Sequence, residues 1–395
     1  MRSTMPTSVL PASGSPALDW AARSMPLLAA TMAAHADDFA GRHVGICLHI
    51  EPKTGVLVHW LLRVGAGVTI TGNLGTTDQA TVDTLRALGA TVIGGHDDDA
   101  AQHARNLDAL VAAQPDLLLD NGAETIERIL RGGPRGAGFL GATEETTTGG
   151  RRLRELDVAA DFPVVVINDS PLKLLIENEF GVGQSIVQGF MNATNAMLPG
   201  TRATVIGYGP CGKGVAETLA RLGARVSVAD TNPYRALEAI MHGHRVAPVD
   251  ALLPDSQLVF LATGHPGVIS GDRLDLLGNG AMLVGVGHEA DEIDLPALRS
   301  RALRTSSLST PSGDADARIL YEMADGREIV VLHGTKMINL VAAGGNPIQA
   351  MDLGLSLQAA SLAAIARGGV GFTGPFGVPA DIDRELATAL VGLWS

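Results

Sequence analysis

Residues 204–230, TVIGYGPCGKGVAETLARLGARVSVAD, carry the clearest chemistry in the chain. An apolar strand runs into Gly207-x-Gly209-x-x-Gly212, a helix follows, and a second strand ends at Asp230. The first glycine permits a tight turn, the second lets a pyrophosphate approach the backbone, and the third lets helix and strand pack closely. The helix N-terminus then offers N–H groups and a positive dipole end to the phosphates. Asp230 lies 18 residues beyond Gly212, where a carboxylate accepts hydrogen bonds from a ribose diol and repels the extra phosphate of NADP. Arg235 stands nearby as a second cofactor contact and weakens that preference slightly. The expected cofactor is NAD.

Such a turn needs a sheet beneath it, and the sequence supplies two. Strand candidates are HVGICLHI (43–50), GVTITG (67–72), DLLLD (116–120), FPVVVIND (162–169), ATVIGYG (203–209), RVSVAD (225–230), LVFLAT (258–263) and AMLVGVG (281–287). Helical stretches such as TGVLVHWLLRVG, QATVDTLRALG, KGVAETLARLG and YRALEAIMHG lie between them, many ending in the glycine that stops a helix. Continuous apolar strands alternating with helices predict an α/β fold with parallel sheets covered on both faces. We read two doubly wound domains, the second a Rossmann domain. A substrate-binding domain is expected over 1–180 and an NAD-binding domain over 181–345. A C-terminal helical segment, 346–395, is expected to pack back on the first, with the site in the crevice between the two domains.

Bulk properties exclude several classes. The 395 residues are 46% hydrophobic and 18% charged, an ordinary globular composition. A net charge of −13 disfavours nucleic acid or an anionic membrane as partner. Cys47 and Cys211 are the only cysteines, and no Cys/His cluster has zinc spacing, so no metal is expected. The first residues, MRSTMPTSVLPASGSP, read as a loose arm and not a signal peptide. No apolar run approaches membrane-spanning length by eye, and the expected location is the cytoplasm.

The sequence also resembles the S-adenosylhomocysteine hydrolase family. GYGPCGKGVA is similar to that family's GYGDVGKGCA cofactor motif, and CLHIEPKTGVLV, PDLLLDNGAE, GATEETTTGGRRL, INDSPLK, ENEFG, GVGHEADEIDL and KMINLVAAGGNP follow in family order, covering about 45–385. The resemblance implies NAD-dependent oxidation of a nucleoside 3′-hydroxyl, loss of the acidified 4′ proton, expulsion of the 5′ substituent, addition of water, and reduction back. By position, Lys173 matches the base at the 3′-hydroxyl and Glu145 the carboxylate gripping the ribose diol. Glu177 stands where the family has Asp, and Asn178 matches an Asn that poises Lys173. His49 matches the acid/base group near the 5′ carbon, and His288 a histidine facing the substrate. Thr146, Thr147, Thr148 and Asn339 match cofactor contacts. A homo-oligomer binding a small nucleoside is implied.

The departures cluster at the base and the 5′ position. The family's LHMTxET is LHIEPKT here, so Glu51 replaces Thr, and Lys53, beside Thr54, replaces the residue reading the adenine edge. Asn121 stands where a catalytic Asp is expected, Asn346 replaces the His of a GHP string near the adenine, and Val182 a redox-sensitive Cys. The chain ends at LVGLWS, without the tail that carries a Lys and a Tyr to a neighbouring NAD, so the cofactor is expected to exchange more readily. A thiolate leaves easily, its acid having a pKa near ~8.5 against ~15.7 for water, a gap of roughly 10 kcal/mol. Expelling hydroxide needs a proton donor, and Glu51 suits that role if burial raises its pKa. The sequence therefore points to a nucleoside dehydratase. Alternatives are a divergent hydrolase of S-adenosylhomocysteine, a silent NAD-binding regulatory homologue, and an ordinary NAD dehydrogenase, against which the EETTTG string argues.

Overall fold

The computed structural model describes residues 10–287, 290–309 and 314–395, and the chain divides into two compact units, 1–174 with 348–395, and 175–347. The divide falls at Leu174/Leu175, six residues before the boundary expected at 180.

In the first unit the strands are β1 (His43–Cys47), β2 (Gly67–Thr71), β3 (Thr91–Ile93), β4 (Leu117–Asp120), β5 (Gly141–Glu144) and β6 (Pro163–Val166). They pair in parallel in the order β6-β5-β4-β1-β2-β3. Leu117, Leu118 and Leu119 of β4 and Val164, Val165 and Val166 of β6 are all buried, as strands covered on both faces must be. The order reverses between β1 and β4, so the loops after those strands part and leave a crevice at the sheet's C-terminal edge.

The second unit holds β7 (Arg202–Ile206), β8 (Arg225–Ala229), β9 (Arg245–Val246), β10 (Leu258–Leu261), β11 (Ala281–Gly285), β12 (Ala302–Ser307), β13 (Arg318–Met323) and β14 (Glu328–Leu332). Their order is β12-β13-β14-β11-β10-β7-β8-β9. Here the expectation of purely parallel sheets is corrected: β13 runs antiparallel to both β12 and β14. The alternation along β13 (buried Tyr321 and Met323 on either side of half-buried Glu322) belongs to a strand covered on one face. Phe190 and Phe260 meet edge-to-face in the core, ring centroids 5.7 Å apart.

β15 (Gly374–Gly377) returns to the first sheet beside β6. Before it, the helix Ile348–Ala366 packs on β4, β5 and the helix Pro26–Ala34. This helix corrects one reading, because its 19 residues are long and apolar enough to cross a membrane. Most of it is buried in the unit's core instead. Its Asp352 carboxylate accepts the Leu27 and Leu28 N–H groups at 3.1 and 2.7 Å, capping a helix that lacks a capping side chain of its own.

Candidate active site

In the second unit, β7 delivers the chain into Gly207 at φ +94°, and a Cβ there would lie 2.6 Å from the Ala262 carbonyl oxygen. At Gly212 a Cβ would lie 1.9 Å from the Gly207 oxygen. Neither position has room for a side chain. The helix Pro210–Arg221 opens on Gly209 with no capping side chain, so an anion can take that place. Arg235 lies over the turn, its guanidinium 3.4 Å from where a Gly209 Cβ would be. Asp230 directly follows β8 and accepts the Tyr208 and Asn232 N–H groups at 2.6 and 2.7 Å, tying the acid to the turn.

The same unit carries a row of polar side chains. Glu177 and Asn178 are buried on a π-helical turn, Leu174–Gly181, an element frequent at functional sites. Asn346 Nδ2 donates to Glu177 Oε1 at 3.4 Å, and Asn346 Oδ1 accepts from Asn339 Nδ2 and Ser185 Oγ, both at 3.2 Å. Expected at the base, Asn346 has its amide engaged in this row. Asn339 Oδ1 is buried with no partner among the described residues. An acceptor in that state suits the N–H donors of a nicotinamide carboxamide, and with the glycine turn it shows that the residues fit NAD.

In the first unit, the loops after β1, β2, β4 and β5 gather a second group. His49 Nδ1 lies 2.6 Å from Thr76 Oγ1, which donates onward to the Asn73 carbonyl at 3.1 Å. Having given up its one proton, the Thr76 oxygen accepts from His49 Nδ1–H. Asn73 Nδ2 donates to the Asn121 carbonyl at 3.2 Å, and Asn121 Nδ2 to Glu145 Oε2 at 3.1 Å. Behind them, Asp120 and Glu144 are wholly buried and accept the N–H groups that shape the 121–126 turn. Burial raises the pKa of both, and their mutual repulsion pushes Glu144 further.

Glu51 caps the helix Pro52–Arg63, accepting the Lys53 N–H at 3.0 Å and pairing with Lys53 Nζ at 2.8 Å. Burial raises the Glu51 pKa against the pull of Lys53. Expected to act separately, the two residues form one pair. Thr54 is buried on the next position of that helix. Lys173 is 3% exposed, its Nζ donating to Asn168 Oδ1 at 3.3 Å while Asn168 Nδ2 donates to Thr147 Oγ1 at 2.6 Å. Thr146 caps the helix Thr147–Glu155 and donates to Glu144, with Thr148 half-buried in its first turn. His288 lies outside the described residues.

Asn73, Thr76, Asn168 and Ser185 were not legible as site residues. Two of them follow the end of β2 as His49 follows β1, the strand-end rule that would have found them.

Residues 178–345 match the family model described as "S-adenosyl-L-homocysteine hydrolase, NAD binding domain". The chain is 35% identical over 382 residues to the S-inosyl-L-homocysteine hydrolase of Methanopyrus kandleri, covering 94% of this chain and 88% of that protein. It is also 35% identical over 358 residues to the adenosylhomocysteinase of Archaeoglobus fulgidus, covering 88% and 86%. The glycine turn, the acid that follows the next strand and this similarity along both units lead to one conclusion: the chain belongs to the S-adenosyl-L-homocysteine hydrolase family and is an NAD-dependent enzyme.

Proposed function

We propose that this family member is a nucleoside dehydratase, removing water across the 4′ and 5′ carbons of a purine nucleoside. The observation that carries the reading is Asn121, a neutral amide donating to Glu145 at 3.1 Å where the family resemblance places an aspartate. Hydrolysis must add water after elimination, and a base activates that water. Dehydration omits the step, so the carboxylate can be lost.

NAD, held at the Gly207–Gly212 turn and by Asn339, would supply reversible hydride transfer at the 3′ carbon. Lys173 takes the 3′-hydroxyl proton and gives it back at the end, steered by Asn168. Glu145 grips the ribose diol. With a ketone at 3′, His49 Nε2 takes the 4′ proton, and those electrons form the C4′=C5′ bond as the C5′–O bond breaks. The departing oxygen collects a proton from the Glu51–Lys53 pair and leaves as water, and the proton on His49 restores the pair. The net change is one nucleoside to one exocyclic enol ether and one water.

A second reading, hydrolysis of an S-nucleosidylhomocysteine, is favoured by the names of the relatives. A mass-spectrometric screen against adenosine, inosine, S-adenosylhomocysteine and S-inosylhomocysteine separates the two. Loss of one water from a free nucleoside is the expected result. Release of homocysteine with no water loss from any nucleoside would establish the second reading instead.

A further inference from the structure

Two buried carboxamide oxygens at the edge of the first sheet have no hydrogen-bond partner among the described residues: Asn73 Oδ1 and Asn121 Oδ1. Their residues are 7% and 4% exposed. Each amide is fixed from its nitrogen end, Asn73 by the Asn121 carbonyl and Asn121 by the Glu145 carboxylate. Flipping either would set oxygen against oxygen, so both acceptors stay as they are. A buried acceptor left unpaired costs about 1–3 kcal/mol. Two of them in one hydrogen-bonded row mark a place that a donor fills.

The row also indicates which part of a substrate that is. Asn73 is joined through Thr76 to His49, and Asn121 is joined to Glu145. On the dehydratase reading, on which this inference rests, His49 serves the 5′ side and Glu145 the ribose diol. We propose that Asn73 and Asn121 form a paired acceptor seat for a hydrogen-bond donor at the substrate's 5′ end, and that the donor is the 5′-hydroxyl. A bound hydroxyl has one proton and satisfies one acceptor. As the C5′–O bond breaks and the oxygen gains its second proton, the nascent water has two, one for each amide. The seat is thus better matched to the departing water than to the bound substrate, which is the condition for accelerating its loss. A thioether sulfur carries no proton and leaves both oxygens unpaired.

The test uses full-length, NAD-loaded protein and follows 3′ oxidation as NADH absorbance, a step that precedes any departure. The probes are adenosine, 5′-deoxyadenosine, 5′-deoxy-5′-methylthioadenosine and S-adenosylhomocysteine. We expect kcat/KM for the deoxy and methylthio compounds to fall at least about 100-fold below adenosine, and the gap to shrink to about 3-fold in Asn73→Leu and Asn121→Leu. The ratio is internal to each variant, so partial misfolding does not move it, and if neither variant folds the wild-type ratio still decides. Equal kcat/KM for adenosine and 5′-deoxyadenosine overturns the seat. S-adenosylhomocysteine matching adenosine while the methylthio compound trails would show that the donor is an amino-acid ammonium, overturning the hydroxyl assignment. Water loss is scored separately by mass. The expected ratio without water loss keeps the seat and ends the dehydratase reading, whereas water loss with a flat ratio does the reverse.

Discussion

The two units build their candidate sites by different means. In the second, the phosphate turn is backbone: Gly207 and Gly212 are defined by the absence of a side chain, and the helix start at Gly209 has no cap. In the first, the site is almost wholly side chain, a row from His49 through Thr76, Asn73 and Asn121 to Glu145. A backbone-built site fixes what binds and tolerates change around it. A side-chain row changes its hydrogen bonding with a single substitution.

If the side-chain unit does the chemistry, its largest single effect should come from Lys173. Lys173→Met should cut nucleoside-dependent NADH formation about 10³-fold or more, with NAD content and melting temperature little changed. Undiminished NADH formation would remove the mechanism.

The side-chain unit should also carry a pH dependence. Burial lifts Asp352 from 3.8 to about 7. A carboxyl whose folded pKa is raised contributes most below its unfolded pKa, and that contribution is lost as pH rises towards the folded value. Asp352→Asn, neutral throughout, should gain on the wild type by up to about 4 kcal/mol between about pH 4 and 7 in urea unfolding. Parallel stability curves would show the carboxyl to be insensitive.

The backbone unit should fail differently. Gly212→Ala places a Cβ 1.9 Å from the Gly207 oxygen, and the displaced turn should weaken NADH binding about 100-fold, an overpacking cost of about 3 kcal/mol. Fluorescence titration reads this directly. Unchanged affinity would mean that the turn yields.

The smallest effect sharpens the comparison most. Asn121→Asp sets a carboxylate about 3 Å from Glu145, so one of the two must hold a proton near neutrality. We expect about a 10-fold loss of 3′ oxidation at pH 7 with a new ionisation in its pH profile. An unaltered profile would separate Asn121 from Glu145 in function.

Much of the scaffold was legible because its signals are local. Strand and helix alternation, the glycine spacing and Asp230 are readable within 30 residues of one another. The antiparallel β12–β14 edge and the capping of the helix Pro26–Ala34 by Asp352 were not. The first depends on which strands find each other, and the second joins positions 324 and 325 residues apart. The site divides in the same way. Lys173 and Glu145 stood out through their strings, whereas Asn73 and Thr76 look like ordinary turn residues until β2 is set beside β1.

By itself, then, the sequence determined the fold class and the dinucleotide turn, because steric exclusion at a glycine and hydrophobic periodicity act between near neighbours. Only the tertiary structure decided that Glu51 and Lys53 form one pair, that Asn346 is bound to Glu177 and Asn339, and that two amide oxygens are buried without partners. Hydrogen bonding and desolvation depend on what the folded chain brings within about 3 Å, and residue order does not encode that distance.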